Sequence, residues 1–235
     1  MLESVIEDEV KAAIERARQA YEAGNLALAE TGYRKALQMD PNSAEAHLGL
    51  GYVSIYLGKR DTAQWAFDRV LRMGTDDAKA HAGMGWAAWY RGQPDVAREQ
   101  FDRALELDDR CTQALVGLGR ARLLRGEYQE ALPLFERATH GDPDNANAHE
   151  GLGGCYLGLG RHLEAVAELD RAIELTPAYA DAYYRRGLAY SEVDDRERAL
   201  ADWAQALALA PRAWFADELR GELEGGDGID DPDQV

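Results

Sequence analysis

Residues 44–77 read AEAHLGLGYVSIYLGKRDTAQWAFDRVLRMGTDD, and residues 78–111 read AKAHAGMGWAAWYRGQPDVAREQFDRALELDDRC. Laid over each other without a gap, they align Gly51 with Gly85, Gly58 with Gly92, Ala63 with Ala97 and Phe67 with Phe101. The register continues along the chain at a period of 34 residues. One glycine column holds Gly51, Gly85, Gly119, Gly153 and Gly187, a second Gly24, Gly58, Gly92, Gly126 and Gly160, and a third Gly49, Gly83, Gly117 and Gly151. Together they take 14 of the 23 glycines, which resolves an anomaly, since glycine disfavours a helix by about 1 kcal/mol relative to alanine and the chain otherwise reads as helix. Alanine recurs at Ala29, Ala63, Ala97, Ala131, Ala165 and Ala199, and again at Ala12, Ala46, Ala80, Ala114, Ala148 and Ala182. A large residue recurs at Tyr33, Phe67, Phe101, Phe135, Leu169 and Trp203. Internal repetition is therefore the primary signal.

Each unit reads as two helices. In the fifth, the first helix is predicted over 146–159 and ends at Gly160, suited to the left-handed conformation that closes helices. The second is predicted over 162–175 and stops before Pro177, whose missing N–H disfavours continuation. The small columns predict close approach of paired helices, with the Phe67-type residue filling the space beside them. One hairpin cannot bury its own apolar face, so stacked neighbours must supply the core. Pro133 falls inside a second helix and is expected to bend it, and Gly141 stands where Leu107 and Leu175 stand elsewhere, making the fourth unit the least regular.

These residues carry a family resemblance. Leu50-Gly51, Gly58, Ala63, Phe67 and Leu71 in the second unit, Met84-Gly85, Gly92, Ala97, Phe101 and Ala104 in the third, and Tyr183, Gly187, Tyr190, Ala199, Trp203, Ala206 and Pro211 in the sixth are similar to the tetratricopeptide repeat pattern. The departures are His47, His81 and His149 at the family's tryptophan-like position, and Ser54, Ala88 and Arg122 where tyrosine is usual. The resemblance implies an all-α, right-handed superhelical solenoid of six tandem helix-turn-helix units, at 10–43, 44–77, 78–111, 112–145, 146–179 and 180–213. Residues 1–9 read as an acidic extension of the first helix, with Leu2, Val5, Ile6 and Val10 at helical spacing. Residues 214–224 read as a capping helix with Trp214, Phe215, Leu219 and Leu223 on one stripe, and 225–235 as a flexible acidic tail.

The net charge is −17, of which residues 1–9 carry −4 and residues 214–235 carry −7, leaving −6 for the repeats. The acidity is thus mainly a property of the two ends. It argues against nucleic-acid binding, which needs clustered cations facing phosphates. No stretch approaches the roughly 20 apolar residues that span a bilayer. Two cysteines, Cys111 and Cys155, are too few for a disulfide framework, which points to a reducing, cytoplasmic compartment.

Chemistry is mostly missing from the sequence. The glycine-rich run at 151–160 has Tyr156 where a dinucleotide fingerprint needs glycine, and the repeat columns explain most of its glycines. Asp142, Asp144 and His149 are close in sequence, but Pro143 and the absent loop glycine break the calcium-loop pattern. His47, His81 and His149 lie on different units and read as packing residues. Neither cysteine has an evident base. No catalytic residue, metal site or cofactor is assigned, and the chain is expected not to be an enzyme.

The resemblance implies that the first helices line a groove in which a partner is held. On that basis the candidate binding residues are Leu48, Tyr52, Tyr56, Lys79, Trp86, Trp89, Tyr90, Arg120, Leu123, Leu124, Glu150, Tyr184 and Arg185. Aromatic anchors on a contiguous apolar strip are typical of interfaces. The competing reading is that Tyr52, Tyr56, Trp86, Trp89 and Tyr90 pack between repeats. Arg120 and Arg185 are candidates to meet carboxylates of a ligand, and Glu45 and Glu150 to meet bases. The carboxylate clamp of some family members is matched only by Lys79 and Arg18, so it is expected to be absent. The function expected is a protein–protein interaction adaptor that binds an apolar peptide or amphipathic helix, with self-assembly into homo-oligomers as the alternative.

Overall fold

A computed structural model describes residues 2–74 and 76–225, the side chains at 2–5 and 224–225 excepted. Thr75, the side chains of Leu2 and Val5, and the acidic tail from residue 226 onward lie outside the described residues. Among the described residues there are thirteen helices and no strand. They pair as α1 (Leu2–Glu22) with α2 (Leu26–Met39), α3 (Ala44–Tyr56) with α4 (Arg60–Arg72), and α5 (Ala78–Trp89) with α6 (Pro94–Leu107). There follow α7 (Thr112–Leu123), α8 (Tyr128–Gly141), α9 (Ala146–Gly158), α10 (His162–Leu175), α11 (Ala180–Ser191), α12 (Arg196–Leu209) and α13 (Ala216–Gly225). The chain divides into two compact units within α7, between Leu118 and Gly119.

The turn inside each hairpin needs one residue at positive φ. Gly58 supplies it in the second repeat at φ +69°, and Asp194 takes the same place in the sixth at φ +59°. Aspartate tolerates this region better than most side chains. Three first helices are capped by the residue just before them. Ser43, Asp77 and Asn145 accept from the N–H groups of Ala46, Ala80 and Ala148. Tyr179 occupies the same column before α11 and gives no side-chain cap.

The core rule is a ring between two glycines. In unit 1, a Cβ on Gly51 would lie 2.5 Å from the Phe67 ring, and one on Gly83, in the next repeat, 2.3 Å from the same ring. Phe101 is held in the same way by Gly85 and Gly117. In unit 2, Phe135 lies between Gly119 and Gly151. All three phenylalanines are fully buried. The pattern changes at the next repeat, where the ring gives way to Leu169, packed on Gly153, and the following glycine gives way to Arg185. The alanine columns are buried throughout except Ala12, which is exposed on α1.

Two expectations are corrected at the C-terminal end and one refined. The last helix begins at Ala216, so Trp214 precedes it and is 70% exposed, while Phe215 and Leu219 are buried. Gly225 closes this helix instead of opening the tail. Pro133 sits on the exposed side of α8, which continues through it to Gly141.

Candidate functional site

In unit 1 the candidate residues of α3 and α5 sort by depth. Tyr52 meets the Phe67 ring edge-on at 5.1 Å and donates its hydroxyl to the Lys79 carbonyl at 2.8 Å. Burial raises its pKa well above the usual tyrosine value. Trp86 repeats this one repeat on, edge-on to Phe101 at 5.4 Å, with its indole N–H on the Gln113 carbonyl at 3.1 Å. Both side chains are therefore pins between successive repeats, with their polar tips already satisfied. Tyr56 and Tyr90 are different: they are 58% and 44% exposed. Tyr56 lies against Tyr21 at 5.8 Å, a residue that sequence reasoning did not select, and Tyr90 stacks on Trp86 at 6.1 Å. Lys79 is exposed, and Leu48 and Trp89 are half-buried.

In unit 2 the candidates converge on a polar cluster. Glu150, on α9, is buried. Its Oε1 accepts from Arg185 Nε at 2.6 Å and its Oε2 from Arg120 Nη2 at 3.1 Å. The Tyr179 hydroxyl accepts from Arg120 Nη2 at 2.6 Å and donates to Asn147 Oδ1 at 2.8 Å. Burial pushes the Glu150 carboxyl up, but the Arg185 and Arg120 guanidiniums outweigh it and leave it below the usual range. The expectation that Glu150 faces a partner's base is thus met by a side chain already enclosed by two arginines. Tyr184 is also enclosed: it stacks on Phe215 at 4.7 Å with a 7° interplanar angle, and its hydroxyl reaches Glu218. Leu123 is buried, and Leu124 is 70% exposed.

Asn147 and Tyr179 were not legible as site residues. The available signal was Tyr179 standing in the column that supplies a small polar helix cap at Ser43, Asp77 and Asn145. Gly154 is the other missed position. It occupies the column of Tyr52, Trp86 and Arg120, and the Leu123 and Arg185 side chains pack over it, 3.0 and 3.1 Å from where a Cβ would stand.

The histidines do not converge. His47 donates from Nε2 to the Pro41 carbonyl at 3.0 Å, its Nδ1 has no partner among the described residues, and burial lowers its pKa. His149, in the same column, also reaches a proline carbonyl, at Pro143, but its Nδ1 meets Glu168 at 2.7 Å, which raises its pKa. The residue 19 positions on decides the difference, Ala66 for one and Glu168 for the other. The signs are opposite. His149 contributes stability that is whole below its unfolded value of 6.5 and is lost as pH rises through its folded value. His47 contributes stability present above 6.5 and lost as pH falls through its depressed folded value. Histidine NMR titration should place the His149 midpoint above 6.5 and that of His47 below it, and Glu168→Gln should bring His149 down. Coincident midpoints would contradict this account.

Burial also raises both cysteines, Cys155 up to about 12, so neither is an activated thiolate. Among the described residues no group of three or more His, Cys, Asp or Glu side chains is placed to hold a metal ion. No described helix is long and apolar enough to cross a membrane.

Paired antiparallel helices, repeated at one spacing and joined by glycine-to-ring packing, define an all-α solenoid repeat protein. Three tetratricopeptide repeat models match the chain, one over residues 20–87 and 122–189, another over 82–145 and a third over 180–212. The chain belongs to the tetratricopeptide repeat family. No curated protein matches its sequence. Among solved structures it is similar to the APC/C hetero-tetramer Cut9–Hcn1, with a TM-score of 0.77 and 19% identity, covering 92% of this chain and 42% of that one. It is also similar to PilF of Pseudomonas aeruginosa, with a TM-score of 0.65 and 19% identity over 92% of this chain and 99% of that one. A third similar structure is YrrB, at a TM-score of 0.53 and 22% identity over 80% and 97%. The chain thus spans less than half the length of the first of these, and the likeness shows the fold.

Proposed function

We propose that the chain is a non-enzymatic adaptor that holds an apolar segment of a partner protein against the first helices of unit 1. The observation that carries this reading is the split between pinned and projecting aromatics. Tyr52 and Trp86 spend their polar tips between repeats, whereas Tyr56 and Tyr90 keep large exposed ring surfaces beside them. Exposed tyrosines on a rigid floor lose little entropy on binding and bury much area, as interface anchors do. Lys79 supplies an exposed cation on the same helix as Trp86, which Tyr90 caps. The similar protein YrrB is described as having an unusual peptide-binding site, which supports the class of ligand.

The test places a photo-crosslinking amino acid at Leu48 or Lys79 and identifies the captured peptides by mass spectrometry. Apolar partner segments are expected, and capture should fall by about tenfold or more in a Tyr56→Ala, Tyr90→Ala double variant whose helical content is unchanged. The double variant is preferable to alanine at Tyr52 and Trp86, which would loosen the stacking itself. Undiminished capture by a folded double variant would remove the proposal.

A further inference from the structure

Trp214 is the most exposed of the five tryptophans, and the repeat architecture has no use for it. In the 34-residue register it falls in the column of Ala44, Ala78, Thr112, Ala146 and Ala180, where small residues suffice. Its neighbours close the last repeat. Phe215 and Leu219 are fully buried, and Phe215 stacks on Tyr184. Trp214 stands alongside that stack, steeply tilted to both rings, its centroid 5.0 Å from Tyr184 and 5.4 Å from Phe215. A lone exposed apolar side chain is ordinary, but this one is held in place. Its indole N–H donates to Asp181 Oδ1 at 3.3 Å, and two rings support it from one side while most of its surface stays in water.

The anions beside it are not matched by cations. Among the described residues Asp181 accepts only the indole N–H, and Glu218 only the Tyr184 hydroxyl, at 3.3 Å. The arginines of the neighbouring elements are committed elsewhere: Arg185 to Glu150, Arg186 to Asp170 and Asp202, and Arg220 to Asp217 and the Pro211 carbonyl. Arg212, exposed on the turn before Trp214, pairs with neither carboxylate. In sequence, residues 214–235 hold eight acids against Arg220 alone. A fixed aromatic face beside unneutralised carboxylates is complementary to a cation that is itself planar. A guanidinium stacks on an indole through its flat surface and donates its edge N–H groups to a carboxylate. A lysine ammonium brings the charge without the plane.

We propose that the C-terminal end of unit 2 carries a docking point for a basic partner segment, in which an arginine side chain stacks on Trp214 and donates to Asp181. Glu218 and the acidic residues that follow supply further attraction. The site is distinct from Tyr56 and Tyr90 and takes a ligand of opposite character, so it neither needs nor excludes an apolar segment in unit 1.

The Trp214 indole N–H resonance of the 15N-labelled full chain, assigned as the one missing from Trp214→Phe, reports the contact. It is titrated at constant ionic strength with the N-acetylated amides of tetra-arginine, tetra-lysine and the uncharged tetra-citrulline. A saturable shift with the arginine peptide is expected, with binding about fivefold weaker for the lysine peptide and no response to citrulline. By calorimetry, Trp214→Ala should weaken arginine-peptide binding by about tenfold at unchanged net charge. Asp181→Asn keeps an acceptor for the indole and should weaken it by about threefold, whereas Glu197→Gln, which removes an exposed charge from α12, should not. Circular dichroism checks that the variants are folded, and if Trp214→Ala loses helix, Asp181→Asn against Glu197→Gln decides. Equal affinity for the lysine peptide, or undiminished binding by a folded Trp214→Ala, would reduce the contact to general attraction by an acidic chain and overturn the assignment. Dimerisation of the free chain in light scattering, abolished by Trp214→Ala, would overturn it by making the occupant a second copy. Loss of crosslinking in unit 1 bears on none of these results, so the two readings fail separately.

Discussion

Replacing Gly83 by alanine is expected to destabilise unit 1 by about 2–3 kcal/mol, the upper part of the range for overpacking a core. The added methyl would lie 2.3 Å from Cε1 and Cζ of Phe67, a fully buried ring already pressed from its other side by Gly51. The ring cannot withdraw, and the helices carrying the two residues would have to separate. The intrinsic preference of a helix for alanine, about 1 kcal/mol, opposes the effect without cancelling it. Chemical denaturation followed by circular dichroism measures the loss. Gly58→Ala is the comparison, since a Cβ there meets nothing within 4 Å and the cost is the left-handed backbone alone, about 1 kcal/mol. The decisive arm is the pair Gly83→Ala with Phe67→Leu. The smaller side chain should recover part of the loss, giving a favourable coupling in a double-mutant cycle. The junction of the fifth and sixth repeats already contains the natural version, with Leu169 in the ring column and Arg185 in the glycine column. An alanine at Gly83 that leaves the midpoint unmoved would mean the ring is not confined as described.

The second large effect is expected at Glu150. Alanine there leaves Arg120 and Arg185 facing each other with no anion between them. Deleting one partner of a fully buried ion pair costs about 3–5 kcal/mol; here the arginines left behind are 26% and 21% exposed and water reaches them, so a loss of about 2 kcal/mol is expected. Glu164→Ala, which removes only the exposed partner of Arg161, should produce no measurable change. The sign with pH follows from the lowered Glu150 carboxyl. Its contribution is present above the unfolded value of 4.5 and is lost as pH falls through the lower folded value. Acid denaturation of unit 2 should therefore become less steep in the alanine variant. A variant as stable as the parent would show that the cluster is strain offset elsewhere.

The helical hairpins were legible because their determinants are local and repeated. A glycine that closes a helix, a proline that forbids continuation and an alanine that admits a close neighbour each act within a few residues, and their recurrence makes them unmistakable. The candidate binding residues were legible only as a list. Tyr52, Tyr56, Trp86 and Tyr90 lie on the same helical stripe and look alike in sequence, yet Tyr52 and Trp86 are pinned to the Lys79 and Gln113 carbonyls. That outcome depends on the distance from a phenol or indole tip to a carbonyl 27 residues away, which the stacking of repeats sets. Arg120 and Arg185 were legible as cations facing a groove, but not as two arms of one cluster around Glu150.

The sequence alone determined the period, the hairpin, the packing columns and the placement of most of the net charge at the two ends, because each is a property of single residues at fixed spacing. Only the tertiary structure decided which aromatic tips are spent between repeats and which histidine meets a carboxylate. Those outcomes depend on atoms from neighbouring repeats meeting within about 3 Å, a hydrogen-bond length that side-chain packing sets and residue spacing does not encode.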